Sequence, residues 1–139
     1  MPDPRLFSRA DPAVERSRRA YTALAHLADR HAGTPARRHR HLHPDMPSPH
    51  EVVQLTASLA GGTVQPDPGE AELDAADLVA ALTLVPQARA DLDSAEFALL
   101  TAARARGMTW QDIAFGLGLG TAQAAQQRAD RLQARLKEA

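Results

Sequence analysis

Residues 109–131 read TWQDIAFGLGLGTAQAAQQRADR, and their spacing has the layout of two short helices joined by a tight turn. Ile113 and Ala114 are placed to pack inward from the first helix, and Ala124 to anchor the second helix beneath it. Gly118 suits the left-handed residue with which the first helix would end. The spacing therefore predicts a helix-turn-helix, with its second helix free to enter a DNA major groove.

The longer stretch from Leu92 to Leu136 resembles the small helix-turn-helix proteins abundant in actinobacteria, and more remotely region 4 of sigma factors, which reads promoters. The resemblance covers roughly a third of the chain. It implies that DNA is the partner and that the exposed face of the second helix reads it. The predicted DNA-binding residues are Thr121, Gln123, Gln126, Gln127, Arg128 and Arg131.

These side chains have distinct expected roles. Gln123 and Gln126 can each bond bidentately to the edge of an adenine, which favours them for base reading. Thr121 caps the second helix and could hold a phosphate with its hydroxyl and the free amides behind it. Arg128 and Arg131 are expected to contact phosphates, which positions a protein on DNA without specifying sequence. Trp110 is expected to pack at the start of the first helix.

Composition predicts an all-α fold. Alanine and leucine dominate the 139 residues, and aromatic residues make up only 4%, a bias that favours helices over strands. We expect an N-terminal segment over residues 1–47 and a helical domain over 48–139, with the helix-turn-helix at 109–137. The chain has no cysteine, and no stretch approaches the roughly 20 apolar residues of a membrane span. A cytoplasmic protein with no membrane partner is expected.

The near-zero net charge hides a segregation of sign along the chain. Residues 1–43 carry a net charge of +5, residues 44–96 of -9, and residues 97–139 of +3. Such a pattern suits a protein whose ends meet something anionic while its middle stays away from it or pairs with the ends. Two solvated faces are the simpler interpretation.

The N-terminal segment is predicted to hold one amphipathic helix, beginning at Asp11 and Pro12 and ending at Gly33. A basic, Arg/His-rich linker is expected from Thr34 to Pro47. Its histidines, His39, His41 and His43, invite a metal hypothesis. We predict no metal site, because arginines surround them and structural zinc normally needs four ligands on a folded frame.

Ser48, Pro49 and Glu51 predict the start of a short helix that Gly61 and Gly62 end. A long helix, bent or broken near Pro86, is expected from about Glu70 to Arg106. A break near Leu92, where Asp93 and Glu96 could cap a new helix, is an open alternative.

The long helix carries a heptad seam of large residues with alanines at the second seam position. The large residues are Leu78, Val85, Leu92 and Leu99, and the alanines are Ala81, Ala88, Ala95 and Ala102. The seam predicts close packing, either against another helix of the same chain or against a second copy as a homodimer.

No catalytic residues and no cofactor are predicted. The acids Glu70, Glu72, Asp74 and Asp77 fall at a helix start, where they favour the helix dipole. The sequence thus predicts a DNA-binding transcriptional regulator or a small nucleoid-associated protein. The alternative is a helical interaction module, for example one docking on a sigma factor, that has lost DNA binding, since a fold does not fix a function. Gly120 and Ala122, at positions that could reach DNA, carry no long side chain, so the affinity of one module should be modest.

Overall fold

A computed structural model of the chain describes residues 11–38 and 47–138, and over these ranges the protein is all-α. The helices are α1 (Pro12–His31), α2 (Pro35–Arg38), α3 (Pro49–Gly61), α4 (Ala75–Ala105), α5 (Trp110–Leu117) and α6 (Ala122–Glu138). The chain divides into two compact units, residues 1–46 and 47–139. Every helix in the described ranges is too short or too polar to cross a membrane.

The first unit contains α1 and α2. The Asp11 carboxylate accepts a hydrogen bond from the Ala13 amide at 2.9 Å, and Pro12 opens the helix as predicted. The predicted linker is not entirely irregular, because α2 forms one helical turn within it. Thr34 accepts from the Arg37 amide at 3.2 Å, and a proline follows it; together a cap and a first-turn proline favour a helix start.

In the second unit, α3 and α4 form a helical hairpin. The Ser48 hydroxyl accepts from the Glu51 amide at 3.3 Å, and Gly62 ends α3 with φ of 80°, so both predicted ends of this helix are confirmed. No residue of α3 is fully buried. The hairpin is held by half-buried contacts, with Val52 and Leu59 turned toward α4.

Helix α4 begins later than predicted, at Ala75 instead of about Glu70. The reason is a reciprocal cap: the Asp77 amide donates to the Asp74 side chain at 2.9 Å, and the Asp74 amide donates to the Asp77 side chain at 3.1 Å. This pairing fixes the helix start. The helix then continues through Pro86 without a break there or at Leu92.

The heptad seam of α4 lies largely outside the protein's core. Leu92 and Leu99 are 68% and 70% exposed, Leu78 is exposed, and Val85 is half-buried. Packing within the described chain therefore does not account for the seam leucines.

The fully buried residues of the described chain all come from the C-terminal part of the second unit. They are Leu100 on α4, Ile113 and Ala114 on α5, and Ala125 and Leu132 on α6. Around them pack the half-buried residues Phe97, Ala103, Trp110, Leu117, Leu119, Ala129 and Leu136.

The inward placement of Ile113 and Ala114 is confirmed by this core. The predicted anchor of the second helix was one residue off, since Ala125 is completely buried and Ala124 only half-buried. Helix α6 is rotated so that Ala125 and Leu132, seven residues apart, share the face that meets α4 and α5.

Candidate nucleic-acid interface

Helix α5 has a fully formed cap at its start. The Asp112 amide donates to the Thr109 hydroxyl at 3.1 Å, and the Thr109 amide donates back to the Asp112 carboxylate at 3.0 Å. The bond from the Thr109 amide, followed by the bond from its side chain, holds the pKa of Asp112 below its ordinary value of 3.8. This reciprocal cap fixes the start of α5.

Trp110, the next residue, packs against the core as predicted. The Arg104 guanidinium lies over its ring, 5.0 Å from the centroid, and donates to the Met108 carbonyl at 2.8 Å. A cation over an indole face at this distance adds attraction to the apolar packing. The contact ties the end of α4 to the start of α5.

The turn between α5 and α6 occupies residues 118–121. Gly118 has φ of 73°, in the left-handed region that only glycine enters without strain. The next amide, that of Leu119, donates to the Ala114 carbonyl at 2.8 Å, which closes a tight helix end of the Schellman type. Leu119 itself packs against the core, so the direction of the chain out of α5 is well determined.

Helix α6 begins as predicted at Thr121, whose hydroxyl accepts from the Ala124 amide at 3.0 Å. Since Ala125 and Leu132 face the core, the opposite side of α6 faces away from it. Gln123, Gln126, Gln127 and Arg131 are exposed on this side. Five of the six predicted DNA-binding residues, Thr121 among them, therefore lie together at the exposed start and outer face of one helix.

Arg128, the sixth predicted residue, is held in an ion pair with α4. Its guanidinium donates to the two carboxylate oxygens of Glu96 at 2.7 and 3.1 Å. These bonds, with the charge of Arg128 and of Arg135, hold the pKa of Glu96 below its ordinary value of 4.5 against the opposing effect of burial. Arg128 is thus engaged between helices, and its contact with phosphate stays a prediction.

A second ion pair lies beside the first. Arg135 approaches Asp93 at 3.4 Å, so two arginines of α6 meet two acids of α4. Sequence reasoning assigned Asp93 and Glu96 to a possible helix start and missed these pairs. The available signal was spacing: the arginines are seven residues apart and the acids three, so each pair shares one helix face.

The outer face of α6 has mixed charge. Arg131 is exposed there, but so is Asp130, which would repel phosphate. Residues 97–139 keep a net charge of +3, so the wider field around this helix favours an anionic partner only modestly.

No group of three or more histidines, aspartates or glutamates is placed to hold a metal ion within residues 11–38 and 47–138. The histidine run at 39, 41 and 43 lies outside the described residues. So do residues 1 to 10 of the predicted N-terminal segment.

Comparison with known proteins finds no protein family, no characterised protein and no solved structure that matches this chain.

Proposed function

We propose that this protein is a DNA-binding regulator or a small nucleoid-associated protein, in which α5, the turn at Gly118 and α6 act as a helix-turn-helix. The observation that carries the proposal is the face of α6. Its inner side holds the two most deeply buried residues of the described chain, Ala125 and Leu132. Its outer side presents Gln123, Gln126, Gln127 and Arg131 to solvent.

The residue types on that face suit a major groove. The amide of glutamine offers a donor and an acceptor that match the adenine edge, and we assign base reading to Gln123 and Gln126. Arg131 would contact a phosphate, and Thr121 with the first amides of α6 would contact another. The caps at Thr109 and Thr121 and the closed turn support the proposal, because a reading helix must be held in one orientation.

A single module of this kind should bind weakly, since Gly120 and Ala122 add no polar contact. Pairing of two copies through the seam of Leu78, Val85, Leu92 and Leu99 would supply the missing affinity by raising the effective concentration of the second module. Such a regulator would work in the cytoplasm, where the DNA is.

A mobility-shift titration over a range of salt concentrations tests the proposal. With random duplex, affinity should fall linearly on logarithmic axes as salt rises. Arg131→Ala should reduce that slope by roughly 1, the effect of one lost phosphate contact. On a duplex selected for tight binding, Gln123→Ala should cost about 1–3 kcal/mol and relax the preference for one base pair.

Gln54→Ala is the matched control, because Gln54 is an exposed glutamine on α3, away from the proposed face. It should leave both slope and affinity unchanged. If neither random nor selected duplex binds at low salt, the protein is not a DNA-binding regulator.

The second candidate function is a protein-interaction module. It is favoured by large apolar side chains that lie next to each other and exposed on α4, Leu78 and Leu82, one helical turn apart and 43% and 68% exposed. Exposed apolar surface of this kind marks interaction sites in soluble proteins. Binding of a protein partner that persists at high salt, with no DNA binding at low salt, would select this function over the first.

A further inference from the structure

We infer that Glu96 withholds Arg128 from DNA, so that Arg131 and Arg135 are the arginines with which α6 contacts the phosphate backbone. Glu96 thereby limits the affinity of this helix for DNA. The inference rests on the proposed function. It adds to that function a second phosphate contact, Arg135, and an internal competitor for a third.

The arginines of α6 share one side of that helix. Arg128, Arg131 and Arg135 are separated by three and then four residues. At 100° per residue they lie within an arc of about 60°, and at 1.5 Å per residue they span about 10 Å of the helix axis. We call this surface the arginine flank. It lies between the buried side of α6, which carries Leu132, and the outer side, which carries Gln127.

An arginine flank in this place suits the border of a major groove. When a helix lies in the groove with its outer side toward the base edges, its flanks turn toward the backbones on either side. The arginine guanidinium binds phosphate through two parallel hydrogen bonds, in the same geometry with which it binds a carboxylate. A carboxylate that already occupies those donors therefore competes directly with a phosphate.

The structure shows such competition most strongly at Arg128. Its Nε and one terminal nitrogen donate to the two carboxylate oxygens of Glu96 at 3.1 and 2.7 Å. The side chain of Glu96 is only 19% exposed. Moving Arg128 to a phosphate would leave this carboxylate largely covered and without its cation, which is costly, and would place its charge near the phosphates it repels.

The other two arginines are held less firmly. Arg135 makes one bond of 3.4 Å to Asp93, and the two side chains are 62% and 31% exposed. Water can solvate both partners when such an exposed pair separates, so its exchange for a phosphate costs little. Arg131 is exposed and has no ion pair within residues 11–38 and 47–138. The flank therefore offers two available guanidinium groups and a third that is engaged.

Glu96→Gln tests the inference by releasing Arg128. The amide keeps the size of the side chain and removes its charge. In the mobility-shift titration with random duplex, the slope of affinity against salt on logarithmic axes should steepen by roughly 1, the effect of one additional phosphate contact. The advantage of the variant over the native chain should accordingly shrink about 3-fold between about 50 and 200 mM salt.

The steeper slope should depend on Arg128. In the native chain, Arg128→Ala should leave the slope unchanged, because that arginine makes no phosphate contact there. In the Arg128→Ala background, Glu96→Gln should add nothing to the slope. Arg135→Ala should lower the slope of the native chain by roughly 1.

Asp91→Asn is the matched control for charge. It makes the same change in net charge on α4, but Asp91 is nine residues from Leu100 and so lies on the opposite side of the helix. Its carboxylate accepts a hydrogen bond from the Gln87 amide at 2.8 Å. This variant releases no arginine of α6, so its slope should equal that of the native chain.

NMR spectra of the arginine Nε–Hε groups test the same point on the native chain without altering Glu96. Single Arg→Lys variants assign the signals. On addition of duplex, the signals of Arg131 and Arg135 should shift, and the signal of Arg128 should stay where it is.

Four results would overturn the inference while leaving DNA binding intact. They are an unchanged slope in Glu96→Gln, an equal gain in Asp91→Asn, a lower slope in Arg128→Ala, and a shift of the Arg128 signal when the native chain binds duplex. If neither the native chain nor any variant binds duplex at low salt, the proposed function is wrong and the inference falls with it. A gain in slope confined to Glu96→Gln and abolished by Arg128→Ala would uphold both.

Discussion

The second unit has two regions that share helix α4. One is the hairpin, formed by α3 and the first half of α4, and the other is the C-terminal part from Asp93 onward. The two regions differ in the contacts that hold them together. Every fully buried residue of the described chain lies in the C-terminal part. The hairpin, over residues 47–88, has none and carries only acidic charge besides His50. A region held by half-buried contacts opens more easily than one with a closed core.

The hairpin and the C-terminal part also differ in their polar contacts. In the C-terminal part, α4 and α6 are joined by the pairs of Arg128 with Glu96 and Arg135 with Asp93. In the hairpin, side-chain hydrogen bonds such as the cap of Ser48 are local and join residues three or four positions apart. Long-range bonds define how helices sit against each other, so the part proposed to read DNA is also the part with the better-defined geometry.

The largest expected effect comes from Leu132→Ala, because Leu132 is fully buried. Removing its side chain should lower the free energy of unfolding by about 2–5 kcal/mol. Urea denaturation followed by circular dichroism measures this. Leu55→Ala, at a half-exposed leucine of α3, is the control and should cost about 0.5 kcal/mol. Equal losses in the free energy of unfolding at the two positions would contradict the difference between the two regions.

Gly118→Ala should have the next largest effect. A methyl group at this position meets nothing within 4 Å, so the cost is that of a left-handed backbone, about 1–2 kcal/mol. Gly120→Ala is the matched control, since Gly120 also has free space and lacks a positive φ. Thermal melting of both variants should separate them, and a neutral Gly118→Ala would show that the turn is not held in this conformation.

Glu96→Gln should lower the free energy of unfolding by about 1 kcal/mol, because it removes the charge that pairs with a partly exposed Arg128. The pKa of Glu96 is lower in the folded protein than its ordinary value of 4.5. The pair therefore stabilises the fold above pH 4.5, and this contribution is lost as the pH falls through the lowered pKa.

Denaturation at neutral pH and at a pH below that lowered pKa measures the effect. The difference in the free energy of unfolding between the native chain and Glu96→Gln should shrink in acid. Glu72→Gln, at an exposed hairpin glutamate, should show no difference at either pH. A difference for Glu96→Gln that persists in acid would exclude the ion pair as its cause.

The smallest global effect is expected for Ser48→Ala. Loss of the cap should make local opening of α3 easier by about 1 kcal/mol. Global unfolding should hardly change, because α3 can open while the C-terminal core stays folded. Amide hydrogen exchange should be faster in α3 and unaltered in α6. Equal acceleration in both helices would mean that hairpin and core open as one unit.

Local chemistry explains which features were predictable. The caps at Ser48 and Thr121 and the turn at Gly118 depend on a few neighbouring residues, and all are confirmed. The start of α4 was missed because several acids precede it, and only the mutual bond of Asp74 and Asp77 singles one out.

Tertiary contacts explain what was not predictable. Whether Ala125 or Ala124 is buried depends on how α6 is rotated about its axis. Packing against α4 and α5 sets that rotation. The bond from Arg128 to Glu96 joins residues 32 positions apart. No local rule links them, so the sequence alone left Arg128 on the candidate surface.

Pro86 lies in the interval of α4 between its two supports. The groove with α3 reaches Leu84, and the bonds to α6 begin at Asp93. Proline also removes one backbone hydrogen bond of the helix there. Bending of α4 should therefore concentrate in these few residues, which would act as an elastic joint. Such a joint would let the C-terminal part, which we propose reads DNA, change its angle relative to the hairpin without any loss of packing in its own core.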